Sequence, residues 1–415
     1  MTKDRDFKKL VRERMARTGE RYAAARAQLA TREPPGLHPE TAALARVLAH
    51  AKIAGPHGPA TEALLLGLGG GIGAACFTFE YKGHNTSFYV ATRCEPQYAY
   101  GVEFVKTAAE RAGASCVIAE STSPVAAAKK LASAAMPAIV WLDLGSLPWS
   151  RKLGGAADLG AMPHVIVVDE IENDTAIVRD TPARAFAIGL AELAAARKRL
   201  RVGKHRVLSV ARGDAPDWPT VYRAAIAQCA SGLRGRTKIK GPMAKNFGLG
   251  GLRRWVAALT NPKDAKSWTR VFPPATAASG LAWTRHWLEH AGTGGGAFRP
   301  MYAEFLDGAA KVLGEPQLKT LAKEYRTLGA AWSAFATSLL APFDPIKKAQ
   351  DTRFEAFIDG DLDAMRAAEA RVTAAIKAAK IDAAKLRTHY EQLGVQLSQI
   401  VDAEEACAVR LAAVD

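Results

Sequence analysis

Two side chains near the middle of the chain have the types and spacing of an acid–base pair. His164 opens a run of β-branched residues and Asp180 closes the next one, with a polar turn near Asn173 between them. This pattern predicts an antiparallel hairpin with His164 opposite Asp180 to within a residue or two. Neighbours across such a ladder lie about 5 Å apart, which lets a carboxylate orient an imidazole for acid–base or nucleophilic chemistry. The structural alternative is a histidine that satisfies backbone groups at a strand end.

The elements that precede this pair are two helices and a glycine run. Ala, Leu and Val dominate from Glu40 to Ala49, which predicts a buried helix, and Pro39 is tolerated in its first turn. Thr61 can cap a second, short helix that ends in the run Gly67–Gly73. So many glycines indicate positive φ angles or close backbone approach.

The stretch from His38 is similar to the N-terminal domain of the butirosin biosynthesis protein H family. The shared features are His-x-x-Thr-x-Ala-Leu from His38, Glu-Ala-Leu-Leu from Glu62, and the glycine run. The resemblance implies a papain-like cysteine-enzyme fold and transfer of an acyl group from a carrier-protein thioester to an amine. It also implies that His164 and Asp180 complete the catalytic set. Where the family has its nucleophilic cysteine, however, this chain has Pro39, which has no nucleophilic atom.

Three side chains are candidates to replace that nucleophile: Cys76, Cys94 and Thr41. Each has a plain alternative, because a buried free cysteine usually behaves as a small hydrophobe and Thr41 also suits a helix. The candidate ligand-binding residues are His38, Gly69, Gly70, Gly71, Asp143 and Arg299.

A second glycine-rich loop, Gly292–Ala297, precedes Arg299. Arg299 can either grip a carboxylate or phosphate or tie two helices together. We interpret both glycine runs as tight turns, because the run at residues 67–73 has neither phosphate-loop nor dinucleotide-loop spacing and the second run follows a helix.

The composition indicates a cytoplasmic protein. The 415 residues contain five scattered cysteines, which predict neither a disulfide framework nor a zinc site, and we expect no cofactor and no metal. The N-terminus is charged from its start, unlike a secretory signal, and no apolar run is long enough to cross a membrane.

The formal net charge of +15 favours an anionic partner, although a solvated Arg-rich surface also explains it. Residues 3–29 form a basic amphipathic helix candidate, either docked on the core or serving as a partner-binding arm. Between residues 218 and 263 there are nine Lys or Arg and no Asp or Glu. The densest part, residues 234–245, is the best anion-binding candidate, but it lacks the aromatic residues that stack on nucleic acid. Its anion-binding residues are predicted as Arg234, Arg236, Lys238 and Lys240.

The predicted fold is α+β: a papain-like N-terminal domain with an antiparallel sheet, followed by an all-α domain. The predicted boundaries are 1–33 for a basic helical arm, 34–215 for the papain-like domain, 216–342 for the helical domain and 343–415 for a helical tail. The tail is predicted to form an antiparallel helical hairpin against the domain or a partner, and the helical region is expected to form homo-oligomers.

Three functions are compatible with this sequence. The first is a non-catalytic, divergent acyltransferase relative that binds an acylated, amine-bearing or peptide ligand. The second is an active acyltransferase or amide-bond enzyme of secondary metabolism that uses a substitute nucleophile. The third is a basic interaction protein that binds nucleic acid or an anionic partner. A carrier protein is the expected macromolecular partner of the first two, and nucleic acid is the weaker candidate of the third.

Overall fold

The computed structural model describes residues 34–83, 86–94, 101–150, 161–182, 184–236 and 240–414, with isolated positions between Lys8 and Arg26. Lys238 and most of the predicted arm at residues 1–33 lie outside the described residues. Two described positions of that arm, Arg21 and Arg26, form ion pairs with Asp174 and Glu170. These contacts are compatible with an arm docked on the protein.

The strands belong to the first half of the chain. They are β1 (Ala54–Gly55), β2 (Gly58–Pro59), β3 (Ile72–Phe79), β4 (Ser87–Arg93), β5 (Ala114–Ala119), β6 (Ala138–Asp143), β7 (Pro163–Glu172), β8 (Thr175–Arg179), β9 (Ala185–Gly189) and β10 (Val207–Arg212). Six of them form one sheet in the order β5-β10-β6-β7-β8-β9, and every pairing in it is antiparallel. β1 pairs with β2, and β3 pairs with β4, as separate antiparallel hairpins.

Helices connect the strands and make up all the regular structure described after β10. They are α1 (Pro39–His50), α2 (Glu62–Leu68), α3 (Glu103–Arg111), α4 (Pro124–Ala132), α5 (Leu190–Arg199), α6 (Trp218–Leu233), α7 (Gly248–Thr260), α8 (Trp268–Val271), α9 (Ala277–Glu289), α10 (Arg299–Leu313), α11 (Pro316–Leu339), α12 (Asp344–Asp359), α13 (Leu362–Ala378) and α14 (Ala383–Leu411). The expected α+β class, with an antiparallel sheet followed by helices, is therefore confirmed. The finer prediction of a papain-like fold remains a prediction.

The starts of α1 and α2 follow from capping chemistry. The Thr61 hydroxyl accepts from the Leu64 N–H at 3.2 Å, as predicted for an N-cap. Pro39 occupies the first turn of α1, where a missing N–H costs little. Glu62 supplies the carboxylate for that end instead, accepting from the backbone N–H groups of Leu37 and His38 at 2.8 and 2.9 Å. The two helices are thus fastened to each other at their starts.

The large sheet separates two hydrophobic clusters. On one face, Trp141, Val165 and Val167 pack with apolar residues of α1 and of the helical half. On the other face, Leu142, Ile166 and their neighbours pack with α5. Buried residues from both sides of the predicted boundary near residue 215 belong to the first cluster, so the two halves share a core.

In the part of the chain that the structure describes, no helix is long and apolar enough to cross a membrane. The same part contains no group of three or more His, Cys, Asp or Glu side chains arranged to hold a metal ion.

Candidate functional site

The predicted His–Asp pair is formed in the structure. The His164 Nε2–H donates to Asp180 Oδ1 at 2.8 Å, and the Asp180 side chain is fully buried. The strand register pairs Val167 with Arg179, which sets His164 two positions from the residue opposite Asp180. The prediction that His164 lies opposite Asp180 to within two residues is therefore confirmed, and the two side chains reach across that difference of two positions.

Asp180 is held by more than the histidine. Its Oδ1 also accepts from the Thr181 backbone N–H at 2.7 Å, and its Oδ2 accepts from the Trp149 indole N–H at 2.9 Å. Burial alone would raise the pKa of Asp180, but the His164 ring and these hydrogen bonds outweigh burial and hold the pKa below its usual value. The carboxylate is therefore ionised at neutral pH and fixes the ring orientation of His164.

The second ring nitrogen of His164 is left available. With Nε2–H bound to Asp180, a neutral ring carries a lone pair on Nδ1, and no described residue hydrogen-bonds to that atom. His164 as a whole is only 5% exposed. The geometry therefore offers one oriented acceptor of a hydrogen bond, at a site with little water.

Pro39 lies on the other side of the sheet from this pair. Helix α1 packs its apolar residues into the cluster that contains Val165 and Val167, and Arg46 of α1 donates to Asp169 of β7 at 2.6 and 2.7 Å. His164, by contrast, lies opposite Leu142, whose side chain belongs to the second cluster. Because alternate residues of a strand face opposite ways, the sheet stands between α1 and the His–Asp pair.

One backbone hydrogen bond joins the residues before α1 to the residues after Asp180. The Gly36 N–H, three residues before α1, donates to the Thr181 carbonyl at 2.8 Å. Among the described residues, no hydrogen bond or ring contact joins Pro39, Thr41 or His38 to His164. The expectation that these residues line a common groove stays a prediction, and the opposite faces of the sheet that α1 and His164 occupy do not favour it.

Pro39 itself is buried beneath the second glycine-rich loop. A Cβ atom placed on Gly292 would come within 2.7 Å of Pro39 Cδ, so the loop backbone lies directly on the proline ring. Gly292 has φ of +72°, a conformation that favours glycine. The position that the family resemblance assigns to the nucleophile is consequently closed as well as unreactive.

The neighbours of Pro39 form a buried charged network. His38 Nδ1–H donates to the Gly292 carbonyl at 2.8 Å, and an Arg93 N–H donates to His38 Nε2 at 2.8 Å. Arg93 also forms an ion pair with Glu40. Burial lowers the pKa of His38. Burial alone would raise the pKa of Glu40, but the charge of Arg93 and the hydrogen bond with His38 outweigh it, so the pKa of Glu40 is lowered. The neutral imidazole of His38 thus lies between the Arg93 cation and the Gly292 carbonyl. Both of its ring nitrogens are bonded to protein groups rather than turned toward a ligand.

Two of the three candidate substitute nucleophiles, Thr41 and Cys76, are held in unreactive surroundings. The Thr41 hydroxyl is buried and donates to Glu62 Oε2 at 2.7 Å. Burial raises the pKa of the Cys76 thiol, which keeps it in the unreactive protonated form. Cys94 is half-buried beside Gly70.

The first glycine run is a tight turn against the core. Gly70 and Gly71 have φ of +117° and +75°, and a Cβ on Gly71 would lie 2.6 Å from the Tyr302 ring. A Cβ on Gly69 would meet the Phe104 ring at 2.3 Å. These glycines are buried against protein side chains, in agreement with the close-approach interpretation rather than with a ligand site.

Asp143 and Arg299 also bind protein groups. Asp143 Oδ1 accepts from the Met162 N–H at 2.7 Å, and its Oδ2 pairs with Arg199 at 3.0 Å. Arg299 is fully buried and donates to Glu404, while its other N–H groups reach the carbonyls of Thr92 and Gly73. The structure therefore favours the alternative in which Arg299 ties elements together.

The basic loop is exposed where it is described. Arg234, Arg236 and Lys240 all face solvent. Lys238, the fourth predicted anion-binding residue, lies among residues 237–239, which are outside the described residues.

Sequence reasoning misses the groups that complete these networks. Nothing in the sequence near Trp149 assigns it a role, and the position of Glu62 indicates only a favourable acid in the first turn of a helix. Arg93 carries no local signal at all, because its partners are 53 and 55 residues away in the chain.

Comparison with known families finds a match in the second half of the chain. A model described as "Domain of unknown function (DUF4872)" matches residues 189–369, which is less than half of the chain. The match begins at the end of β9 and runs into α13, so it includes Arg299 and the second glycine-rich loop but neither His164 nor Pro39. No curated protein matches the chain significantly.

Proposed function

We propose that this chain is a non-catalytic, divergent relative of the butirosin H-like acyltransferases that binds an acylated, amine-bearing or peptide ligand at His164. One observation carries the proposal: the oriented His164–Asp180 pair is intact, while Pro39 is buried on the opposite side of the sheet. Among the described residues, no thiol or hydroxyl is hydrogen-bonded to His164, and this supports binding better than acyl-enzyme chemistry.

The chemistry of the site fits such a ligand. An ionised Asp180 holds the Nε2–H, so a neutral His164 ring presents Nδ1 as an acceptor. An amide or amine N–H is the complementary donor. The competing function, an active acyltransferase, needs a thiol or hydroxyl next to this nitrogen, and the described positions of Thr41 and Cys76 favour it less.

The proposal can be tested with N-acetylethylenediamine, a probe that contains both an amide and an amine. We expect saturation-transfer NMR signals from this probe with the wild-type chain and their loss in His164→Gln. His57→Gln is the matched control, because His57 is exposed and far from the pair in sequence. Equal signals from the His164→Gln and wild-type chains, or none from the wild type, would rule the proposed site out. Circular dichroism would verify that both variants are folded.

A further inference from the structure

The β3–β4 hairpin carries aromatic rings on the face turned away from the main core. Its inner face contributes Cys76, Phe88 and Val90 to the large hydrophobic cluster. On the opposite face, the rings of Phe77 and Phe79 stack with centroids 5.9 Å apart, and Phe79 stacks on the ring of residue 81 at 6.1 Å. The series therefore runs outward from a buried ring to an exposed one.

Exposure increases along this series of rings. Phe77 is 4% exposed and Phe79 is half-buried, whereas Tyr81 is 64% exposed. The two last ring planes are within 7° of parallel, so Tyr81 ends the stack with one ring face turned to solvent. Such a face is a stacking surface for another planar group.

The aromatic surface continues onto helix α9. Tyr89 lies opposite Phe77 in the hairpin register and contacts Trp287 edge-on, with centroids 4.8 Å apart. Trp287 in turn stacks with Trp283 at 6.0 Å, and both indoles are half-buried. Rings from three separate parts of the chain thus form one partly exposed strip.

The basic loop at residues 234–245 begins and ends beside this strip. Phe247, just after the loop, contacts Phe77 with centroids 5.4 Å apart. At the start of the loop, a Cβ on Gly235 would lie 3.4 Å from the Phe247 carbonyl oxygen. The fold therefore supplies the aromatic rings that the loop's own sequence lacks.

The basic loop contributes exposed cations beside the strip. Arg236, Lys240 and Lys245 are exposed, and within the described ranges no acidic side chain pairs with them. The carboxylate next to Tyr81, that of Glu80, is neutralised by an ion pair with Lys266. An anionic partner would meet little opposing charge at this surface.

We propose that this surface binds single-stranded nucleic acid, with bases stacking on Tyr81 and neighbouring rings and phosphates meeting Arg236, Lys240 and Lys245. Cations beside exposed rings are the combination that sequence-tolerant single-strand binding requires. An acidic protein surface would use the cations but not a stacking face, and a neutral sugar would use the rings but not the cations. The net charge of +15 adds long-range attraction for a polyanion. This inference does not depend on the His164 site.

The test is fluorescence anisotropy of the full chain with a labelled oligothymidylate of about twelve nucleotides, within the span of known single-strand sites. The salt is varied from about 50 to 200 mM, where phosphate binding changes steeply. We expect Tyr81→Ala to weaken binding about 5- to 10-fold or more, since each stacked base contributes strongly to affinity. Lys240→Gln with Lys245→Gln should reduce the slope of log K against log salt by about 1.4, because each phosphate that is no longer neutralised removes about 0.7.

Two comparisons keep the test specific. An abasic oligomer of the same length should bind more weakly than oligothymidylate and should be insensitive to Tyr81→Ala. Lys319→Gln, at an exposed site on α11, should change neither affinity nor slope. The proposal is overturned if the abasic oligomer binds equally well, if polyglutamate competes as strongly as oligothymidylate, or if no binding occurs at about 50 mM salt, where screening is weak.

Discussion

At the scale of single residues, Asp180 organises the best-defined polar site of the protein. Its buried carboxylate accepts hydrogen bonds from the His164 ring, the Trp149 indole N–H and the Thr181 backbone N–H. Buried polar groups stabilise a fold only while their partners remain complementary. Replacing one carboxylate oxygen by an amide nitrogen should therefore break the contacts that this oxygen accepts.

We predict that Asp180→Asn lowers the free energy of unfolding by about 1–3 kcal/mol, because its amide would face the Trp149 or His164 donor. Urea denaturation at pH 7 measures the change. Asp214→Asn, at an exposed position, is the matched control and should be nearly neutral. A loss no larger than that of the control would show that the network around Asp180 is not formed.

The same substitution should change the acid limb of stability. Because the folded pKa of Asp180 is depressed, its contribution is present above the unfolded value, about pH 4, and is lost as pH falls through the folded pKa. The difference between the wild type and Asp180→Asn should accordingly be largest above about pH 4, the ordinary aspartate range, and should shrink below it.

At the scale of elements, helix α9 and helix α12 enclose two histidines among arginines. His290 stacks on Phe354 with ring centroids 4.5 Å apart, and its side chain is only 7% exposed. His286 accepts from Arg353 at 3.1 Å. Burial, reinforced by Arg285 and Arg353, lowers the pKa of His290 to about 3 and also lowers that of His286. Asp351 faces His290 at 3.6 Å and opposes the shift.

This arrangement predicts a pH-dependent stability of the helical half. Both histidines stay neutral in the folded chain but have a pKa of about 6.5 in the unfolded chain. Their contribution to the free energy of unfolding is therefore fully present above about pH 6.5 and is lost as the pH drops toward 3. Each group contributes up to about 1.4 kcal/mol per pH unit in that window. We expect His290→Phe, which can keep the stack on Phe354, to flatten the decline of the urea midpoint between about pH 7 and 5, where an ordinary histidine titrates.

A matched variant sharpens this comparison. His50→Phe changes an exposed histidine at the end of α1 and should leave the pH dependence as in the wild type. An identical decline for the His290→Phe and wild-type chains would contradict the assignment of His290 as a buried neutral ring.

Sequence reasoning worked best where the determinant was local. The Thr61 cap, the helix after Pro39 and the β7–β8 hairpin with its His–Asp pair all depend on neighbouring residues and strand alternation. It could not show that Gly292 covers Pro39, or that Arg299 binds Glu404, since these contacts join residues more than 100 positions apart. Such contacts arise from packing of whole elements, which local patterns do not encode.

The aromatic strip illustrates the same limit. The basic loop lacks rings in its own sequence, and the rings come from strand β3, from Tyr81 just after it and from Trp287 on α9. The face that His164 occupies was likewise decided by the register of β7 with β6. A difference of one residue in that register would have turned the imidazole toward α1.

At the scale of the whole molecule, the six-stranded sheet separates the His164–Asp180 pair from Pro39. Helix α1 and Pro39 lie on one face, covered by the loop of Gly292, and His164 with Asp180 lies on the other. The chain should therefore bind a ligand at His164 without forming a covalent intermediate.

Intact-protein mass spectrometry after exposure to the glycyl thioester of N-acetylcysteamine tests this claim most directly. We predict that the wild-type chain keeps its unmodified mass and gains no more acyl label than His164→Gln does from spontaneous chemistry. A single glycyl adduct that forms on the wild type, turns over when an amine is added and is absent from His164→Gln would contradict it.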